Sequence, residues 1–548
     1  MKRNMVVEPL ANEKGVALVV GLLLVAVLAI LGFTALTNSN TELKISSNQT
    51  LSERAFYAAE AGAEAGLNSL RSLTKSGSAA NIAPPTNING FNFTTTDYVK
   101  AIASPSNGSR TLPATSKYAG LSSFCQRYQI TSTANSTTSN TSATVVYEVE
   151  EQLIPLFQFG IFYDGRLEMQ PGANMTFTNG RIHSNGDIYM QTSATLSIDT
   201  NVTAAGKIYN KRGDTGVVTG NNTVQIKGAD GIYHGLNFGS DSSNWKSNAT
   251  STWGGTVQSS DHGITGLTLP LSTTSSDPYT ILGNGASSDA GSLYNQSGLR
   301  IINGVAYDKA GNVLNLAAGG NNPITVTSSA FTDQRESKAM SVVQVDVAKL
   351  QTNTVAMAAL NNPPAGCDSG ILYVSSDNIS NPSVRLVNGG TLTSGLSVAT
   401  DTPLYIQGNY NTSNSFPSAI YSDAVTVLSN NWSDSNSAKT ISNRTASATT
   451  VNAAIMTGNV PTSGSNYSGG VENFIRFLES WSGKTFTYGG SLTCLWSSRK
   501  ATAKWPSTGA VYNAPNRNWS YNIDVANLPP GTPRVRNVER ISWRQVNN

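Results

Sequence analysis

Eighteen consecutive residues without a charge, Val16 to Phe33 (VALVVGLLLVAVLAILGF), constrain this chain more than anything else in it. As a helix rising about 1.5 Å per residue the run spans roughly 27 Å, close to the hydrocarbon thickness of a bilayer. Lys2, Arg3 and Lys14 precede it, and the first charge after it is Glu42. That excess of positive charge places the N-terminus in the cytoplasm and everything beyond about residue 40 outside. A secretory signal peptide has a shorter apolar core closed by small residues, and a plain anchor sets no requirement on the residues beyond it. Here the sequence stays helix-compatible, with no further proline until Pro84, and Leu51, Ala55, Ala58, Ala59, Gly62, Ala65 and Leu70 fall on or near one stripe. The spacing predicts one long helix, transmembrane over 16–36 and exported and amphipathic over 37–72.

The stretch NEKGVALVVGLLLVAVLAILG, with ERAFYAAEAGAEAGLNSL after it, resembles the N-terminal region of PilX-type minor pilins over about 60 residues, with Phe-Tyr-Ala-Ala-Glu-Ala carrying much of the likeness. The resemblance implies a leader (1–15) that a prepilin peptidase removes between Gly15 and Val16, with methylation of the processed chain. It also implies a helix that leaves the inner-membrane lipid to pack with other minor and major pilins. The chain would then be a minor subunit of a type IV pilus or secretion pseudopilus, its body periplasmic at first and later at the pilus tip or cell surface. One position departs from the pattern. Major pilins carry Glu at the fifth residue of the mature chain, where this sequence has Val20. In that family the carboxylate pairs with a neighbour's N-terminal amine, an ion pair made strong by low dielectric. A subunit without it suits a filament tip, as in the large tip pseudopilin of type II secretion, better than repeated incorporation along a shaft. An uncleaved single-span anchor with a helical stalk is the alternative.

The exported part has its own character. At 548 residues the chain is long enough for several cores, yet only 13% of residues are charged and the net charge is +3, so no large basic face exists for nucleic acid. Hydrophobic residues make up 39% and fall in short β-type runs, which argues for a β-rich exported protein rather than disorder. Residues 73–155 read as a loop-rich segment ending in a pilin-like hairpin, Arg127–Thr133 with Ala143–Leu153. From Phe159 apolar positions recur near every 20 residues: Ile161 is answered by Ile182, and Leu167 by Ile188 and Ile208. Stacked coils of a parallel β-helix produce such a period, with Asn179-Gly180, Asn185-Gly186 and Gly206 as corners. The fold expected is therefore mainly β with one long N-terminal α-helix. Its body (156–410) reads as a parallel β-helix or short β-solenoid carrying an insertion, and a β-sandwich is the alternative. TDQRESKAMSVVQVDVAKLQ reads as a short helix or lid across the stack, and 411–548 as a small α+β part with an amphipathic helix over 470–481. LYIQGNYN, SGGVENFIRFLESWSGKTFTYGGSL and PPGTPRV resemble a C-terminal region that accompanies PilX-type N-termini in some large pilus-assembly proteins.

Residues with catalytic potential are few. Asp164, Glu168 and Asp187 sit near the first coils, where a polysaccharide-cleaving solenoid would hold its acids, but Asp164 and Asp187 adjoin glycines, as turn residues do. His183, His234 and His262 lack a metal or triad spacing, and no phosphate-binding or dinucleotide fingerprint is present. No catalytic residue is assigned, and the chain is read as a non-enzyme. Calcium is the one cofactor with candidate ligands, Asp308, Asn312 and Asp434, and a hairpin-turn role competes at each. Trp245, Trp253, Trp432, Trp496, Trp505 and Trp519 stand in polar surroundings, as in loops that bind sugars or surfaces, although core packing explains most tryptophans equally. A membrane-anchored adhesin is accordingly the second functional reading and a carbohydrate-active β-helix enzyme the third. Cys125, Cys367 and Cys494 allow one disulfide of undetermined pairing.

Overall fold

The structure, a computed structural model, describes residues 13–73, 78–269, 275–283, 289, 291–506 and 509–546. The leader expected at 1–15 lies outside these except for its last three residues. One long helix, α1 (Glu13–Arg71), precedes a mostly β body of several sheets, none of them closed into a barrel.

The last third of α1 lies on a seven-stranded antiparallel sheet. Its long strands, Ser122–Ser136 and Ser142–Pro155, pair from Phe124 with Leu153 to Asn135 with Ser142. The segment expected to be loops supplies four short strands, Asn87–Ile88, Phe91–Phe93, Val99–Ile102 and Gly108–Thr111. The far edge is the C-terminal strand Arg534–Val546, antiparallel to Ser142–Pro155. Val145, Tyr147 and Val149 alternate along one face, pack with Ala55, Ala59, Ala63 and Leu67 of the helix, and are fully buried.

The rest of the body is built from short parallel strands whose apolar residues stand in columns. The positions that repeat in sequence are partners in space: Ile182 pairs with Ile161 and Val202, and Ile188 with Leu167 and Ile208. One column runs unbroken through Leu299, Leu372, Val398, Ile420, Ile455, Leu492, Ile161, Ile182, Val202 and Val257, all fully buried or nearly so. Each such side chain contributes about 1.5–3 kcal/mol when withdrawn from water. A second column on another sheet reads Val451, Tyr488, Trp519, Phe177, Ile198 and Ile226.

These columns disclose a permuted order. The chain enters the stack in its middle at Phe159–Tyr163, winds to one end at Val257–Gln258, and resumes at the opposite end with Leu299–Ile302. It then winds back in the same direction until Leu492–Cys494 meets Phe159–Tyr163 and Asn516–Ser520 meets Met175–Thr178. Strand edges left open by the first half are thereby paired by the second. The helix Trp245–Trp253 covers one end with both tryptophans buried, and the antiparallel strands Leu299–Ile302, Val305–Asp308 and Val313–Leu314 close the other.

Three expectations are corrected. First, a boundary at 410/411 has no counterpart, because strands between Ser418 and Ser520 continue the same sheets. Second, the helix expected over 470–481 is a single 3-10 turn, Val471–Asn473, and then the strand Ile475–Phe477. Ile475 and Phe477 continue the columns of Val425 and Val427, while Arg476 is buried on the other side against Glu336 at 2.8 Å, so neighbour pairing overrides the helical spacing. Third, the segment read as a lid belongs to the stack: Lys338–Asp346 pairs in parallel with Pro382–Val387, and only Val347–Thr352 is helical.

Candidate functional site

The feature the fold leaves unsatisfied is the N-terminal half of α1. From Val16 to Leu36 every residue is exposed, and none of the apolar window is covered by the rest of the chain. The helix is long and apolar enough to cross a membrane. Gly15 and Val16 sit in its first turns, and Val20 projects outward, 52% exposed. With an apolar side chain at that position, neighbouring helices can supply packing contacts there but no charge pair.

Below this half the helix is seated by small residues. A Cβ at Gly66 would stand 2.9 Å from Ile130 Cγ2 and Tyr98 Oη, and one at Gly62 would overlap Ser132 Oγ and the Phe93 ring. Tyr98 donates its hydroxyl to Gly62 O at 2.5 Å, and burial pushes its pKa up to about 12. Tyr147 donates to Glu64 at 3.1 Å, and Arg540 of the C-terminal strand pairs with the same carboxylate at 3.2 Å. Phe56 packs edge-on against Tyr57 and Trp543, leaving Tyr57 65% exposed. Sequence reading placed Gly62 on the stripe but missed Gly66; their i, i+4 spacing was the available signal. The alternation of Val145, Tyr147 and Val149 pointed to a strand that packs on the helix, whereas Tyr98 and Arg540 gave no signal, since they come from segments far apart in the chain.

The remaining candidates are held in structural roles. Asp164 accepts from Asn185 Nδ2 at 2.8 Å, and Asp187 accepts from the Lys207 amide at 2.7 Å, both at bends between short strands. Glu168 is buried, ion-paired with Arg166 and hydrogen-bonded by Thr462, with its pKa raised by desolvation. His183 is buried between Phe159 and Phe162, and burial brings its pKa down to about 4. His234 pairs with Asp230, and His262 accepts from the Ser259 amide. Asp308 accepts from the Ala310 and Asn312 amides and from Asn312 Nδ2, closing a turn, while Asp434 pairs with Arg385 and Trp432 Nε1. Among the described residues no group of three or more His, Cys, Asp or Glu could hold a metal ion. Five of the six tryptophans are buried and Trp505 is half-buried, so they form no exposed aromatic face. Neither Cys125 nor Cys494 is in a disulfide.

Comparison with known proteins agrees with this emphasis on the helix. The family model "PilX N-terminal" matches residues 14–64, the span that holds both the exposed apolar run and the small residues of the seat. No curated protein matches the sequence. Among solved structures, the competence-associated pilin ComZ from Thermus thermophilus is similar at 11% identity and a TM-score of 0.27, over 90% of this chain and 97% of that one, a likeness too loose to argue from. Over residues 14–64, therefore, the chain carries an N-terminal region similar to that of PilX-type pilins.

Proposed function

We propose that the protein is a minor subunit at the tip of a type IV pilus or related secretion pseudopilus, acting in assembly initiation or surface contact. The observation that carries this reading is the fully exposed apolar half of α1 beneath a body of several hundred residues. An apolar helix leaves lipid only if partner helices replace the lipid contacts. A body of this bulk obstructs regular packing along a shaft but not at its end. Val20 supports the same place, because a terminal subunit has no subunit ahead of it whose amine needs a carboxylate. On this reading prepilin peptidase cuts between Gly15 and Val16, the helix waits in the inner membrane with the body in the periplasm, and other minor and major pilins assemble beneath.

We read the stacked parallel ladders as one short β-solenoid, permuted so that entry and exit lie side by side. The strand Ser142–Pro155 leading in and the strand Arg534–Val546 leading out are then paired neighbours, which ties the body to the helix by two strands instead of one. The test is deletion of the gene combined with gold labelling of a tagged chain. A tip initiator predicts loss of filaments and a single label at filament ends; label distributed along filaments contradicts the tip. A membrane-anchored adhesin, the second reading, predicts normal filaments with loss of surface attachment alone.

A further inference from the structure

Where the two halves of the stack meet, a cavity of about 280 Å³ opens on the body's surface. Tyr163, Asp164, Arg166 and Glu168 line it from the first half, and Asn459 and Trp496 from the second, so it exists only when the seam is closed. Trp496 is 7% exposed, and its Nε1 has no hydrogen-bond partner. An indole donor buried without an acceptor is costly unless something arriving at the site accepts from it. Asp164 and Glu168 are each already held by a protein donor, and a carboxylate has acceptor capacity beyond that for a hydroxyl.

The cavity does not stand alone. Glu168, Tyr189 and Tyr209 are successive partners across three parallel strands, so the cavity sits at one end of a tyrosine row. The two rings stack at 4.7 Å, with Arg166 4.4 Å over Tyr189 and Lys211 4.4 Å over Tyr209. Cations thus pin the row at both ends and leave the half-buried ring edges and hydroxyls facing outward.

We propose that the cavity and this row form a saccharide site, taking the terminal ring of a neutral glycan in the cavity and the next ring along Tyr189 and Tyr209. Carboxylates, an amide and an indole N–H match the hydroxyl rim of a sugar ring, and Tyr189 and Tyr209, whose faces are covered by Arg166, Lys211 and each other, offer the next ring their edges and hydroxyls. The volume, just below the roughly 300 Å³ at which ligand cavities begin, admits one ring and not a chain. Neutral sugars are favoured because Arg166 is already paired with Glu168 and Lys211 with Asp241, leaving Asp164, held only by the neutral Asn185 amide, to repel an anion. The proposal concerns binding and not cleavage, and it does not depend on where along a filament the subunit sits.

The test uses the full chain in detergent with cellobiose, N,N′-diacetylchitobiose and digalacturonic acid as probes, read by saturation-transfer NMR and calorimetry. At least one neutral disaccharide should bind, more tightly than the acidic one. Trp496→Phe and Asp164→Asn should each weaken binding at least about tenfold, as loss of a buried polar contact does. Tyr209→Ala should weaken the disaccharide while leaving the matching monosaccharide unchanged, and because it is a surface change it reads out even if Trp496→Phe unfolds. The proposal is overturned if no probe binds at about 10 mM, a limit near the weakest affinities such titrations resolve. It is equally overturned if Asp164→Asn and Tyr209→Ala bind as the parent does with unchanged thermal unfolding, or if the acidic dimer binds best.

Discussion

Replacing Gly66 by Ala should destabilise the seat of α1, although the same change in an open helix stabilises. At an unobstructed helical position Gly→Ala gains about 1 kcal/mol. At Gly66 the new methyl would stand 2.9 Å from Ile130 Cγ2 and from Tyr98 Oη, both on fully or nearly fully buried residues that cannot swing into solvent. Overpacking of this kind costs about 1–3 kcal/mol. Displacing Tyr98 also strains its hydrogen bond to Gly62 O, a further loss of about 1 kcal/mol. Net destabilisation of roughly 1–3 kcal/mol is therefore expected once the helical gain is included. Gly32→Ala is the internal control, because no heavy atom lies within 4 Å of its Cβ position. Urea unfolding of the full chain in detergent, read by hydrogen exchange at Ile130 and Tyr147, measures both. Tyr98→Phe removes one clashing atom, so the double variant should lose less than the two single changes together. A Gly66→Ala chain as stable as the parent, or strict additivity with Tyr98→Phe, refutes the close seating of the helix.

Burial and strand pairing set two further outcomes. Desolvation raises the pKa of Glu168, Glu472 and Glu479 in the folded protein, so above about pH 4.5 the folded state holds more protons than the unfolded one and stability should fall as pH rises. Asp261 and Asp308, held low by Lys207 and Asn312, act in the opposite sense below pH 3.8, and His183, held low by burial, acts in the opposite sense between about pH 4 and pH 6.5. Removing one of the raised carboxylates isolates their effect: relative to the parent, Glu472→Gln should shift the unfolding midpoint at pH 7.5 upward compared with that at pH 5, and an identical pH response in the two proteins contradicts the assignment. Truncation after Pro533 removes Val535 and Val538, both buried, and should cost roughly 3–6 kcal/mol while exposing α1 to protease. Unchanged protease resistance would show that the C-terminal strand is not part of the seat.

How much of this was legible in sequence depends on which interactions are local. The helix was, because 18 uncharged residues and a stripe of alanines fix it without reference to anything distant. The columns of Ile161 and Leu167 were, because strands that pair in parallel there lie about 20 residues apart and repeat the same apolar positions. The permuted order was not, since nothing in the residues around Leu492 says that Ile161 is their neighbour. For the same reason the last strand could not be assigned to the sheet beneath α1, where Trp543 faces Tyr147. VENFIRFLESW misled because Val471, Phe474, Phe477, Leu478 and Trp481 are all buried on a segment that is not helical, and large apolar residues buried on more than one side satisfy helical spacing as readily as strand spacing. The cavity at the seam drew Asp164 and Glu168 from the sequence but not Asn459 or Trp496, which only the meeting of the halves brings there.

The central claim is that α1 is the assembly helix of a processed pilin-like subunit, and the mature N-terminus tests it most directly. Intact-mass analysis of protein purified from cells with an active prepilin peptidase should give a chain that starts at Val16, shorter than the translated sequence by the 15 residues ending in Gly15. A chain that retains Met1 through Gly15 in those cells would contradict the account.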